Sequence, residues 1–294
     1  MVLFSVILVL LLEQIYPMPY ARLVREPVAV LAEWVERRFD AGEQRDGAWA
    51  WWALVGGATA LAGLVYALLS WLNPMLAGLW TIALLYCTLG FRQFSHYFSA
   101  IHLALRLDDL PRARALLAEW RGQPVEGLAA SEIARLTIEQ ALLAAHRHVF
   151  GVLACFVLLP GPCGAVLYRL AAEVDAVWGG RSADPEDRFA RFAQRAFAVV
   201  DWLPLRLSAL VFAVVGNFEE AMFSWRTRDE SRERSLVLAS GAGALGVRLD
   251  GLNETNGEAA DAGHMHSAVA LVWRALLLWL LLLLLLGFAG LFAG

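Results

Sequence analysis

The sequence predicts an all-α, polytopic integral membrane protein: about four spanning helices, two re-entrant or broken hairpins, and amphipathic helices on the cytoplasmic side. Three observations predict it. The 294 residues are 59% hydrophobic and 18% charged, more apolar than an ordinary soluble domain. Three apolar runs reach or approach the roughly 20 residues that cross a bilayer. The basic residues, all 24 of them Arg, crowd the stretches 22–45, 92–147, 169–195 and 226–248, and none lies in the turn 71–74 or after the last apolar run.

The elements follow in order. Val2 to Tyr16 is apolar but short; it lacks preceding basic residues and an A-x-A cleavage pattern, so it reads as a retained anchor. After Pro27, the stripe Val28, Leu31, Trp34, Val35 and Phe39 suits an interfacial helix. Gly47–Trp71 and Pro74–Phe91 are spanning candidates joined through Leu72-Asn73, with Trp51, Trp52, Trp71 and Trp80 as an interfacial belt. Residues 92–148 form a helical segment in which Asp109-Leu110-Pro111 starts one helix. Ile133, Leu136, Ala141, Leu142 and Ala145 form the apolar stripe of the next, 131–148. The run 149–168 is interrupted by Pro160-Gly161-Pro162 and the run 196–216 by Pro204. Between them 169–195 is helical, with Asp184-Pro185 as a start signal. Residues 251–263 read as a flexible linker, and Ala268–Phe292 as the last span.

Loop charge then sets a topology. The positive-inside rule places every Arg-rich stretch, including 92–148 and 169–195, in the cytoplasm. The two broken runs therefore enter and return, both termini lie outside, and residues 1–294 form a single membrane domain. Six simple crossings are the alternative.

A net charge of −4 gives no footing for nucleic acid. Cys87, Cys155 and Cys163 sit in apolar runs without a CxxC pair and read as reduced and structural. The most informative segment is VVDWLPLRLSALVFAVVGNFEEAMFSW, 199–225. A central Asp or Arg costs about 2.5 to 3.5 kcal/mol on insertion scales, so Asp201 and Arg206 each need a partner. A break at Pro204 lets them pair and lock the segment; the other reading has Arg206 facing an anion from the cytoplasm. Asp175, Glu139 and the pair Glu219-Glu220, together with Arg92, Arg195 and Arg206, line a polar pocket in this reading. The glycines of SGAGALGVRLDG, 240–251, lack the Lys-Ser/Thr ending of a P-loop and read as close packing or a turn, with phosphate contact through Arg248 as the functional reading. His96, His102, His146 and His148 lack metal-ligand spacing, so no metal site is predicted. No Ser-His-Asp or Cys-His arrangement is present.

DWLPLRLSALVFAVVGNFEEA, VLFSVILVLLLEQ, LGFRQFSHYFSAIHLAL, YRLAAEVDAVWG and GALGVRL together resemble the CobD/CbiB and AmpE superfamily of bacterial inner-membrane proteins. The resemblance covers most of the chain. Arg92, Glu139, Asp175, Gly179, Arg195, Pro204 and Arg206 match the CbiB-like pattern. Other positions depart from it: Leu143, Ala144, Arg147 and His148 stand where it carries further acids and an asparagine and glycine. Phe197-Ala198 replaces a paired aspartate, and Ser231-Arg232-Glu233 a serine-proline-asparagine motif. The resemblance implies a multi-pass protein of the bacterial inner membrane with a role in cobalamin biosynthesis. Its implied reaction is amide attachment of aminopropanol, or its phosphate, to adenosylcobyric acid. ATP and Mg²⁺ are implied if that adenosylcobinamide-phosphate synthase activity persists without the missing acids. The implied partners are the lipid bilayer and a corrinoid or other anionic small molecule, and a homo-oligomer stays open. The DWLPLRL segment is closer to AmpE-like regulators of beta-lactamase induction and cell-wall recycling, which is the alternative, non-catalytic expectation.

Overall fold

The computed structural model describes residues 2–16, 20–39, 46–180, 187–227, 235–247, 249 and 260–292. Helices make up nearly all of these residues, and no strand occurs among them. Helix α1 is Val2–Ile15. A π-helical turn, Ala21–Arg25, leads into α2, Glu26–Phe39. Helix α3, Asp46–Leu72, contains a second π turn at Trp52–Gly56. One residue, Asn73, separates it from α4, Pro74–Thr88. The Asn73 side chain accepts from the Met75 amide at 2.8 Å, and Pro74 takes the first helical position, where no amide donor is needed. Next come α5, Phe91–Arg106, and α6, Leu110–Arg121; Asp109 caps α6 by accepting from the Arg112 amide at 3.1 Å, as its position before Leu110-Pro111 predicts.

Helix α7 runs from Ala130 to Leu158 with a π turn at His146–Phe150. Helix α8, Cys163–Val174, ends in another, Asp175–Gly179. Helix α9 is Arg188–Val215, with Asp187 accepting from the amides of Phe189 and Ala190 at 3.0 and 3.2 Å. The start signal at Asp184-Pro185 lies outside the described residues. Helices α10, Phe218–Thr227, α11, Ser235–Leu245, and α12, Ala262–Phe292, complete the chain. Most of the segment read as a linker, residues 251–259, also lies outside the described residues.

Among the described residues four helices are long and apolar enough to cross a membrane: α3, α7, α9 and the Ala262–Ala289 part of α12. The number agrees with the sequence reading, but the members differ. Helices α1 and α4 have 14 and 15 residues. At about 1.5 Å per residue they reach roughly 21 to 23 Å, short of a hydrocarbon core of about 30 Å. Their places are taken by the runs read as re-entrant. The run 196–216 does not break, because Pro204 lies inside α9. Proline removes one intrahelical bond, and apolar helices absorb that loss where neighbours or local adjustment serve the freed carbonyl. The run 149–168 does turn at Pro160-Gly161-Pro162, but its first half continues α7. No breaker stands between Ala130 and Leu158, so the amphipathic and apolar parts join through the π turn.

The chain forms two compact units, Met1–Gly90 with Arg147–Pro204, and Phe91–His146 with Leu205–Gly294. In the first, the end of α7 and α8 make a hairpin held by reciprocal glycines. A Cβ on Gly164 would stand 1.8 Å from the Cys155 carbonyl oxygen, and one on Gly151 2.1 Å from the Tyr168 ring. Small residues at both places let two backbones approach and give the Tyr168 ring its slot. Gly164→Ala is therefore expected to cost roughly 1 to 3 kcal/mol or more, since backbone cannot rotate away as a side chain can. A thermal midpoint in detergent equal to the parent's would refute that closeness.

In the second unit, Gly243 packs against the backbone of Ala221, where a Cβ would come within 2.5 Å. The glycine-rich stretch thus serves close packing of α11 on α10, as the sequence indicates. Of the expected tryptophan belt, Trp52 and Trp71 face outward. Trp51 does not: it is buried against Phe192, ring centroids 6.1 Å apart. Asp261 caps α12, its Oδ1 accepting from the His264 amide at 2.8 Å and meeting the His264 ring at 2.6 Å. The His264 amide holds the Asp261 carboxyl below its ordinary range, with burial opposing and the imidazole assisting. A lowered folded pKa means the cap stabilises above the ordinary carboxylate value and is lost as pH falls through the folded one. Amide exchange at 263–266 should therefore accelerate only below about pH 3.9; protection unchanged through that window would contradict the cap.

Candidate functional site

The first unit holds a buried polar cluster assembled on two π turns. Such turns widen a helix by one residue, re-aim the side chains that follow, and often occur at functional sites. The turn at His146–Phe150 carries Arg147 and His148, and the turn at Asp175–Gly179 begins with Asp175. Arg147 Nη2 donates to Asp175 Oδ2 at 3.1 Å, and its guanidinium lies over the Phe197 ring, 5.1 Å from the centroid. The Arg147 side chain is 26% exposed and that of Asp175 7%, so the pair is open on the arginine side.

Behind it lies Arg169, only 1% exposed. Its Nε and Nη2 donate to the Thr88 carbonyl at 2.8 and 2.6 Å, and its Nη1 bonds His148 Nδ1 at 2.9 Å. Glu173 Oε1 lies 3.8 Å from Nη1, and the Tyr20 ring packs beneath the guanidinium at 5.0 Å. Tyr20 in turn donates its hydroxyl hydrogen to Glu173 Oε1. Burial, more than the neighbouring carboxylate, pushes the Tyr20 phenol well above its ordinary value, so it remains a donor. A guanidinium has no acceptor. His148 Nδ1 must therefore accept from Arg169, which places the proton of the neutral ring on Nε2. Alongside, Tyr168 donates to Asp201 Oδ1 at 2.9 Å, from the slot that Gly151 leaves.

The charge pattern has a chemical consequence. Buried Arg169 is saturated by a carbonyl, an imidazole, a carboxylate and an aromatic face, as a desolvated guanidinium must be. Arg147 differs: it is partly solvent-exposed and pairs with a carboxylate. A guanidinium in that setting can exchange or share its carboxylate partner for another carboxylate or a phosphate, both of which match its planar donor fork.

The residues named from sequence divide between the units. Asp175, Asp201 and Arg195 fall in the first, the acids buried and Arg195 exposed. Arg92, Glu139, Arg206 and Glu219 fall in the second. There Glu139 takes Arg135 Nη1 at 2.6 Å, while Arg92 and Glu219 are exposed and Arg206 half-buried. Arg248 lies outside the described residues. Sequence reading missed Tyr20, Tyr168, Arg169 and Glu173. Arg169 and Glu173 carried a legible signal, an Arg and a Glu four apart in YRLAAEV on an otherwise apolar helix. Tyr20 carried none. The second unit also joins His146 Nδ1 to Ser208 Oγ at 2.8 Å, but both are buried, which suits a structural bond. Among the described residues no three His, Cys, Asp or Glu side chains converge as metal ligands.

Helices long enough to span, and a first unit that buries Arg169 with Glu173, Asp175 and Asp201, define an all-α membrane protein with an internal ionic site. Its relatives narrow that class. The family described as CobD/Cbib protein matches residues 6–288. The cobalamin biosynthesis protein CobD of Stutzerimonas stutzeri is 35% identical over 271 residues, 86% of this chain and 88% of that protein. CobD of Chromobacterium violaceum is 34% identical over 212 residues, 68% of this chain and 66% of its own. The cobalamin biosynthesis protein CbiB of Salmonella typhimurium is 26% identical over 240 residues, 77% and 74% of the two chains. No solved structure matches. The chain belongs to the CobD/CbiB family.

Two of its departures from the CbiB-like pattern meet in space. Arg147 stands where that pattern carries further polar groups, Phe197 where it carries an acid, and here the guanidinium lies over the Phe197 ring. Arg147 thereby obtains an aromatic face and, from Asp175, a countercharge.

Proposed function

We propose that this protein is a multi-pass component of the bacterial inner membrane that works in cobalamin biosynthesis by amide attachment of aminopropanol, or its phosphate, to adenosylcobyric acid. In this reading the whole chain acts as one membrane domain with α5 and α6 toward the cytoplasm, while residues 130–148 and 188–195 of the expected cytoplasmic segments belong to the span candidates α7 and α9. The observation that carries it is the Arg147–Asp175 pair, held on two π turns with one partly exposed guanidinium. Family membership and the relatives' role in the same pathway support it. No observation favours the AmpE-like regulator.

The chemistry asked of the site is a condensation. A propionate carboxylate and an ammonium form an amide: the C–N bond replaces one C–O bond, the carboxylate surrenders that oxygen, and the nitrogen gives up two protons and keeps one as the amide N–H. ATP supplies the driving force when bound, leaving as ADP and phosphate, with the lost oxygen carried in the phosphate. Arg147 holds the anionic carboxylate or phosphate, and Asp175 keeps the guanidinium oriented until substrate arrives. Phe197 keeps water off one face of that guanidinium, which strengthens the ion pair it makes. The acids present do not fit a protein-built Mg²⁺ cage. Glu173, Asp175 and Asp201 are engaged by Tyr20, Arg147 and Tyr168, and no three donors converge among the described residues.

The test is direct. Purified protein given adenosylcobyric acid, aminopropanol phosphate, ATP and Mg²⁺ should release ADP and phosphate and yield the amide by mass spectrometry. Silence under conditions where a CbiB relative is active removes the enzyme reading. Corrinoid auxotrophy on gene deletion, without a changed beta-lactam response, is the matching expectation in the cell.

A further inference from the structure

Helix α2 is turned opposite to what a water-soluble helix requires. Its inward residues are small, Ala32 and Val35, both buried. Its large apolar residues point out: Val30 is 67% exposed, Leu31 46% and Trp34 60%. Two helical rows cross at Trp34, Val30–Trp34–Arg37 and Leu31–Trp34–Arg38, and each ends in an exposed arginine. The helix is no span. Its 14 residues reach roughly 21 Å, and Glu26, Glu33 and Glu36 lie within it.

Its neighbour fixes the depth. Helix α2 packs on the first turns of α3, and there Trp49 and Trp52 project outward, 62% and 60% exposed. Tryptophans at the end of a spanning helix mark the headgroup level. An adjoining helix with an apolar row ending in arginines therefore sits at that level, rings and methyls among the upper acyl chains, guanidinium groups in the phosphates. Charge agrees. Arg37 leans on Glu33 at 3.5 Å yet keeps 77% of its side chain exposed, and Arg38 is exposed beside it.

We propose that α2 is a lipid-docked interfacial helix, with Val30, Leu31 and Trp34 inserted at the acyl boundary and Arg37 and Arg38 on phospholipid phosphates. This goes beyond the biosynthetic reading and does not depend on it.

The experiment uses the full-length protein with Cys87, Cys155 and Cys163 replaced by Ala. An environment-sensitive fluorophore is attached at Trp34→Cys or, separately, at Leu31→Cys, and the protein is reconstituted in phosphatidylcholine vesicles with and without phosphatidylglycerol. Lipid spin-labelled just below the headgroup should quench both sites at least several-fold more than aqueous iodide does. Arg37→Gln with Arg38→Gln should shift the balance toward iodide, more so in the anionic vesicles. Free quenching by iodide with no response to labelled lipid would overturn the proposal. So would protection from both quenchers together with Trp34→Cys cross-linking between copies, which would assign the face to a second chain. Neither readout needs a corrinoid substrate, so a failure here leaves the amide-forming reading standing, and the reverse also holds.

Discussion

Arg169→Met is expected to be the most destabilising single change in the cluster. It removes the guanidinium that serves the Thr88 carbonyl, His148 and Glu173 at once, and leaves a carboxylate that is 10% exposed without its cation. Breaking one side of a buried pair costs roughly 3 to 5 kcal/mol, mostly as the penalty of the charge left behind. Against a total stability of about 5 to 15 kcal/mol, that is a large fraction. The thermal midpoint in detergent should fall by on the order of 10 °C. Adding Glu173→Leu to Arg169→Met should recover part of the loss, because the stranded charge goes with it. An unchanged midpoint in the single variant would mean the network is not closed as described.

Arg147 should behave in the opposite manner, with a larger effect on activity than on folding. Its guanidinium is partly exposed, so truncation strands Asp175 in a less closed setting than the one around Glu173. Arg147→Ala is expected to lower amide formation by on the order of 10²-fold, the scale of losing one charged anchor for an anionic group. Arg147→Lys should restore only part, since an ammonium keeps the charge but not the planar fork. Two readouts separate recognition from mere structure. The loss should fall chiefly on KM for the carboxylate substrate, and guanidinium ion at millimolar concentration should rescue the Ala variant but not the Lys variant. Full activity in Arg147→Lys would remove the bidentate role.

Much of the local structure is legible along the chain because it rests on neighbours in sequence. Asn73-Pro74 and Asp109-Leu110-Pro111 start helices through side-chain oxygens two or three residues from the amides they serve. Gly243 of SGAGALG packs closely because nothing larger fits beside Ala221. The runs that misled are those where a breaker residue was weighed alone. Pro204 costs one hydrogen bond, and 28 residues of favourable helix outweigh it. Pro160-Gly161-Pro162 turns the chain because two prolines flank a glycine at φ +60°.

The site was legible only in parts. Asp175 and Asp201 stood out as acids in apolar surroundings, but their partners lie far off in sequence: Asp175 meets Arg147 across 28 residues and Asp201 meets Tyr168 across 33. Tyr20 reaches Glu173 across 153, and no periodicity reports such a pairing.

Apolar content, arginine placement and capping residues determined by themselves that this chain is helical, that it enters a membrane and where several helices begin, since each depends on contacts within a few residues or on transfer to lipid. The structure alone decided which stretches join into helices long enough to span, and which of many arginines is saturated and which is left partly exposed. Those outcomes depend on how π turns and facing glycines aim side chains that are remote along the chain, and a guanidinium's partners are fixed only once the backbones have met.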